Sequence, residues 1–238
     1  MGEEGVSNQA KRTDEERLAL RQHGRAWAKE LQIEAEATGR HFDWFEELYV
    51  RADGESGYIP WEMAAPRFKL RKWLQDNSGD GLTALDVGCG LGDNAACLAE
   101  AGYWVTAFDI SETAVRWAED RFASPSINFV QCDLFTPPDH WLGAFDLVHE
   151  TYNLQALPRD RVAGAMTILA SFIKPAGRLV VISRIREDHE PVDGPPWPLT
   201  LSELEPFETA GLNQATREVF HDQREDPIRH VLVEYERK

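Results

Sequence analysis

Hydrophobic and polar positions along this chain switch repeatedly between the helical period and short apolar runs. Thr13-Asp14-Glu15-Glu16 has the pattern of a capping box, and Leu20, Trp27 and Leu31 then fall on one helical stripe that ends near Gly39. This predicts a first helix outside any later repeat. Next come Asp43-Trp44-Phe45-Glu46-Glu47-Leu48-Tyr49 and Tyr58-Ile59-Pro60-Trp61, dense in aromatic rings that either cap a sheet edge or line a pocket. Pro66 to Gln75 reads as a helix carrying Phe68, Leu70, Trp73 and Leu74.

From there strands and helices alternate. Thr83–Val87 is a strand and Asp93–Ala101 a helix stopped by Gly102. Trp104–Phe108 runs as a strand into Asp109, and Ser111 caps a helix through Phe122. Ile127–Gln131 is a strand ending at Cys132-Asp133, and Phe145–His149 another ending at Glu150-Thr151. Pro158 starts a helix to Ile173, and Lys174-Pro175-Ala176-Gly177 turns into the strand Arg178–Ser183. A proline-rich loop from Arg184 to Leu199 leads to a capping box at Thr200-Leu201-Ser202-Glu203 and a helix stopped by Gly211. Gln214–Phe220 and Ile228–Tyr235 are strands whose connection is too short for a helical crossover, so they pair antiparallel.

Five β-α units followed by a hairpin define an α/β fold: a doubly wound, mostly parallel, seven-stranded, Rossmann-like sheet with an antiparallel C-terminal edge hairpin and N-terminal helices. The expected organisation is one domain, with residues 13–80 as a helical cap on the core of residues 81–238 and residues 1–12 disordered.

The stretch Leu85-Asp86-Val87-Gly88-Cys89-Gly90-Leu91-Gly92-Asp93-Asn94 joins the first strand of that core to its helix. Glycines there let backbone approach a ligand and reach dihedrals other residues avoid, while the first helical turn offers unpaired N–H groups. A nucleotide-like cofactor suits such a turn.

Composition narrows the partners. Among 238 residues, 42% are hydrophobic and 28% charged, and no apolar run approaches the roughly 20 residues of a membrane span. The net charge of −16 opposes binding to phosphate backbones or anionic lipid, so neither nucleic acid nor membrane is an expected partner. Cys89, Cys97 and Cys132 are odd in number and lack metal-ligand spacing, so neither a disulfide framework nor a metal is expected. The N-terminus has no basic start and apolar run of a secretory signal, which makes the cytoplasm the default. On oligomeric state the sequence is silent.

In an open α/β sheet, ligands sit outside the carboxyl ends of the strands. Asp109, Asp133 and Glu150 fall at such ends, and Asp109 follows Gly88 by 21 residues, a separation at which a carboxylate can accept ribose hydroxyls. NAD would use the same acid. Its fingerprint is G-x-G-x-x-G, however, whereas Gly88, Gly90 and Gly92 give G-x-G-x-G with Asp at position 93.

Leu85 through Gly92, Phe108-Asp109-Ile110-Ser111 and Cys132-Asp133-Leu134 together resemble the class I S-adenosylmethionine-dependent methyltransferases, over about residues 61 to 238. The resemblance implies S-adenosylmethionine as cofactor. It implies that the glycine loop (Asp86, Gly88, Cys89, Gly90, with Asn94) contacts the methionine part, and that Asp109 with Ile110 binds ribose. Asp133, between Cys132 and Leu134, would hold the adenine amine. Trp44–Tyr49, Ile59-Pro60-Trp61, the stretch from Phe145 to Pro158 and Gly194–Leu199 resemble, more narrowly, the thiopurine and thiol methyltransferase-like branch. That branch implies a small-molecule methyl acceptor, a thiol or other soft nucleophile.

Several residues carry two readings. Asp86 either supports the loop or touches the cofactor. Glu150 either serves cofactor and acceptor or fixes its loop, and His149, alternating with it along the strand, points the other way. Tyr152 and Asn153 are positioned to orient an acceptor, with Glu150 and Tyr152 the catalytic candidates. Trp61 and Trp197 either close over the pocket, Trp61 then touching cofactor, or simply pack. Cys89 reads as a small side chain chosen for size. In-line displacement from an activated sulfonium needs alignment, exclusion of water and an unprotonated nucleophile. A binding protein that keeps the cofactor fold without turnover is the alternative.

Overall fold

The structure, a computed structural model, describes residues 13–62, 67–192, 194, 196–222 and 227–238. Residues 1–12 and Pro66, on which two expectations fell, lie outside the described residues.

Helix α1 (Asp14–Thr38) begins at the predicted capping box: Thr13 Oγ1 accepts from the Glu16 N–H, and the Thr13 N–H donates to the Glu16 carboxylate. Gly39, at φ 70°, ends it. Gly24 adds to its inner face a contact that no hydrophobic stripe announces. A Cβ there would lie 1.7 Å from the Tyr58 carbonyl oxygen, so only glycine lets the turn at Ser56–Tyr58 rest on the helix. Helix α2 (Asp43–Ala52) packs against α1 and buries Trp44, Leu48 and Tyr49. Helix α3 (Phe68–Leu74) leads into the core.

The core elements are β1 (Thr83–Val87), α4 (Asp93–Glu100), β2 (Trp104–Asp109), α5 (Glu112–Arg121), β3 (Ile127–Gln131), β4 (Phe145–Thr151), α6 (Arg159–Ser171), β5 (Ile173–Arg184), α7 (Pro206–Thr209), β6 (Leu212–His221) and β7 (Arg229–Arg237). Among the described residues seven strands form one sheet in the order β3-β2-β1-β4-β5-β7-β6. The first five pair in parallel, β7 lies antiparallel beside β5, and β6 closes the edge as the outer strand of a hairpin. β6 is almost wholly exposed while β7 is buried, as expected for an edge strand and its inner neighbour. The order reverses between β1 and β4, which places the crevice at their carboxyl ends.

Two elements differ from expectation. Lys174–Gly177 is not a turn before the strand but a bulge within β5, where pairing jumps from Phe145↔Ile173 to Leu147↔Arg178. Ala176 takes φ 62°, and Lys174 Nζ reaches the Asp146 carboxylate at 2.9 Å, so an ion pair occupies the irregularity. The segment after Thr200 does form its capping box with Glu203, but the helix is broken into a 3₁₀ turn at Ser202–Leu204 and the four-residue α7. Pro206, which lacks an N–H, starts the second piece.

No helix among the described residues is long and apolar enough to cross a membrane.

Candidate functional site

At the switch point the glycine turn and the loop after β4 are interlocked. Asn153 Nδ2 donates to the Val87 carbonyl at 2.7 Å, and its Oδ1 stands 2.0 Å from where a Cβ on Gly88 would be. Gly88 therefore makes room for a protein side chain. At Gly92 a Cβ would press on Ala118, Phe122 and Phe129, each at 3.1 Å, so this glycine serves the packing of α4 against α5 and β3. The Gly90 N–H donates to Asp109 Oδ2 at 2.9 Å, tying the turn to the end of β2.

Asp109 is buried, and its other oxygen accepts the Ser111 N–H at 2.9 Å. Burial pushes its carboxyl up to about 6, against the opposing effect of backbone hydrogen bonds. Both oxygens accept backbone N–H groups, and a carboxylate has further lone pairs to offer. Asp133 Oδ1 accepts the Phe135 N–H at 2.8 Å, and the residue lines the cleft.

Gly88, Asp109, Ile110, Asp133 and Leu134 line one cleft, together with Val87 and Asn153. Its apolar walls are Phe42, Phe45, Phe108, Phe135, Ala156 and Leu157. Of the aromatic stretch that either caps a sheet edge or lines a pocket, Phe45 lines the cleft; Phe42 and Phe135 join it through the docking of the N-terminal helices, which no local pattern announces. Glu46 makes that dock. Its carboxylate accepts from Ser111 Oγ (2.6 Å), Thr113 Oγ1 (2.7 Å) and the Thr113 N–H (3.1 Å), clamping α2 to the start of α5 just past Asp109. Burial opposes ionisation of Glu46, yet these bonds outweigh it and hold the carboxyl below its ordinary value. Phe42 and Phe45 are thereby held over the cleft, with Phe42 stacked on Phe135 at 5.6 Å between ring centroids.

Asp86 and Glu150 lie on β1 and β4 beside the turn, both buried. Asp86 Oδ1 is 2.6 Å from His149 Nδ1, and its Oδ2 is buried with no hydrogen-bond partner among the described residues. Glu150 Oε1 accepts the N–H groups of Asn153 (2.6 Å) and Leu154 (3.1 Å), whereas Oε2 is buried with none. Burial pushes the Glu150 carboxyl up to about 7; the Leu154 and Asn153 N–H groups and the Asn153 side chain oppose that, and the Asp86 charge adds to it.

Asp86, Glu150 and Gly90 are not among the residues lining the cleft, and the remaining candidates also sit outside it. Trp61 Nε1 donates to Tyr49 Oη at 2.9 Å, and the ring packs edge-on behind Phe45, so it backs the wall. Asn94 Oδ1 accepts the Arg67 N–H at 3.0 Å, anchoring the approach to α3. Cys89 is buried with its thiol pushed well up by burial and by the Asp109 and Asp86 charges, which removes it as a nucleophile. Cys132 is buried beside Asp133. Tyr152 holds φ 66° and turns its ring under the Arg67 guanidinium, at 4.5 Å, and against His230. Trp197 is fastened through its backbone N–H to the Gln155 carbonyl at 2.7 Å, against the loop after β4.

Residues 84–177 match the family described as methyltransferase domain. Thiocyanate methyltransferase 1 of Brassica oleracea is 32% identical over 159 residues, spanning 63% of this chain and 67% of that protein. Probable thiol methyltransferase 2 of Arabidopsis thaliana is 29% identical over 158 residues, with the same two shares. Among solved structures, a Burkholderia thailandensis 1,6-didemethyltoxoflavin-N1-methyltransferase, with S-adenosylhomocysteine bound, shares the fold at a TM-score of 0.67 and 17% identity, covering 82% of this chain and 87% of that one. The chain belongs to the class I S-adenosylmethionine-dependent methyltransferases. It is an enzyme of that class, and S-adenosylmethionine is its cofactor.

Proposed function

We propose that the protein methylates a small-molecule thiol or other soft nucleophile, with the cofactor held along the carboxyl ends of β1, β2 and the loop after β3. The observation that carries the placement is Asp86 Oδ2 and Glu150 Oε2, two buried carboxylate oxygens beside the glycine turn that have no direct hydrogen-bond partner among the described residues. Buried anionic oxygens without partners are costly alone and suit a cationic ligand. The donor set fits the rest of the group: Asp109 for the ribose hydroxyls, Asp133 for the adenine amine, and Phe42, Leu134 and Phe135 for the faces of the ring.

S-adenosylmethionine supplies a methyl group already activated on a sulfonium. The chain's own task is then alignment and exclusion of water, which the aromatic wall of Phe42 and Phe45 supports. A thiol near its own pKa brings its own thiolate fraction. For an acceptor that arrives protonated, Glu150 Oε2 is a proton acceptor whose carboxyl titrates near neutrality. The two relatives whose names specify thiol and thiocyanate transfer support the soft-nucleophile class.

The test is a panel of thiols, amines and phenols incubated with the protein and S-adenosylmethionine, followed by mass spectrometry of the acceptors and of S-adenosylhomocysteine. Methylated thiols with little amine or phenol product are expected. Methylation confined to amines or phenols would overturn the acceptor class.

A further inference from the structure

Asp86 and His149 are register partners on β1 and β4, so their side chains leave the same face of the sheet opposite one another. Both are buried, His149 with 0% exposure. His149 Nδ1 lies 2.6 Å from Asp86 Oδ1, and its Nε2 lies 2.7 Å from Thr151 Oγ1. In a neutral ring that gives Nδ1–H to the carboxylate, Nε2 is the bare nitrogen and must accept, so the Thr151 hydroxyl donates to it. The three residues thus form one hydrogen-bonded chain, Asp86–His149–Thr151. Oδ1 is taken up by the ring, and Oδ2 has no hydrogen-bond partner among the described residues.

We propose that His149, itself set by Thr151, is the positioning residue for Asp86: it fixes the carboxylate so that Oδ2 is presented to the α-ammonium at the methionine end of the cofactor. This rests on the placement of the methionine end at the glycine turn. A ligand-holding group needs its orientation locked by a supporting shell, and a rigid imidazole between two strand residues provides that lock. A histidine that merely satisfied a buried aspartate would influence all ligands through stability alone. One that positions Asp86 should influence only ligands that carry the ammonium.

The experiment is titration calorimetry with two probes, S-adenosylhomocysteine, which has the amino-acid tail, and 5′-methylthioadenosine, which lacks it. The proteins are wild type, Asp86→Asn, His149→Leu, His149→Asn, Thr151→Val and Thr151→Ser, each checked by thermal unfolding. His149→Leu should weaken S-adenosylhomocysteine about 10-fold or more, by analogy with loss of supporting groups around bound ligands, and change methylthioadenosine by less than about twofold. His149→Asn, which retains a donor near the Nδ1 position, should recover most of that loss. Thr151→Val should weaken S-adenosylhomocysteine about threefold, the size of one lost hydrogen bond, with Thr151→Ser restoring it. Thr151→Val and Thr151→Ser carry the test should His149→Leu fail to fold. Equal weakening of both probes overturns the positioning role. If Asp86→Asn leaves S-adenosylhomocysteine binding unchanged, the placement of the methionine end fails. If Asp86→Asn weakens it while neither His149→Leu nor Thr151→Val does, the positioning role alone falls.

Discussion

The Asn153 side chain stands where a side chain on Gly88 would be: its Oδ1 lies 2.0 Å from the ideal Cβ position, while its Nδ2 donates to the neighbouring Val87 carbonyl. The cofactor turn and the loop after β4 are built around one another, so a change in either moves both. Gly88→Ala must push Asn153 aside and also place a Cβ at φ 54°. At Gly90, with the same φ, the nearest atom to a Cβ is Tyr49 Oη at 3.3 Å. Gly88→Ala should therefore cost more than Gly90→Ala, on the order of 2–4 kcal/mol in stability, with a loss of S-adenosylhomocysteine affinity. Chemical denaturation of the two variants side by side checks the order.

The buried carboxyls make binding and stability depend on pH. Glu150 is pushed up to about 7 from 4.5 and Asp109 up to about 6 from 3.8. For a group whose folded value is raised, the native state binds more protons than the unfolded one between the two values. Its contribution is fully present below the unfolded value and lost as pH rises through the folded one. The ligand-free protein should therefore lose stability between about pH 4 and pH 7, on the order of 3 kcal/mol from Glu150. A cationic ligand favours the ionised carboxylate, so binding S-adenosylmethionine at pH 6 should release protons. Calorimetry in two buffers of different ionisation enthalpy measures that release, and Glu150→Gln should reduce it.

Glu46 behaves in the opposite sense. Despite burial, the bonds from Ser111 and Thr113 hold its carboxyl below the ordinary value, so its contribution is present above that value and lost as pH falls through the folded one. Glu46→Gln should lower stability by about 1 kcal/mol at neutral pH. Because Glu46 carries α2, which also carries Phe45, the same variant should weaken S-adenosylhomocysteine several-fold, and tryptophan fluorescence of Trp44 reports the loosened helix.

The core was legible because its signals are local. β1 and β3 fall on their apolar runs, Thr13, Ser111 and Thr200 cap where their side chains predict, and the short final connection made the hairpin antiparallel. Gly88, Asp109, Ile110, Asp133 and Leu134 meet in one cleft because each sits at or just past a strand end. What sequence could not place depends on contacts between distant segments. The bulge at residues 174–177 is organised around Asp146, 28 residues from Lys174. Phe42 and Phe45 reach the cleft only because Glu46 clamps residues 65 and 67 positions further along the chain. Alternation along β4 separates His149 from Glu150 but does not reveal its partner: Asp86, 63 residues earlier, is what ties it to the end of β1.

The central claim is that a strand-end carboxylate reads the ribose of the cofactor, and titration of S-adenosylhomocysteine into wild type and Asp109→Ala tests it most directly. Loss of Asp109 also removes the acceptor for the Gly90 and Ser111 N–H groups. Affinity should fall by about 100-fold, the scale of several charge-assisted hydrogen bonds, while circular dichroism shows the fold retained. Unchanged affinity in a folded Asp109→Ala protein would contradict it.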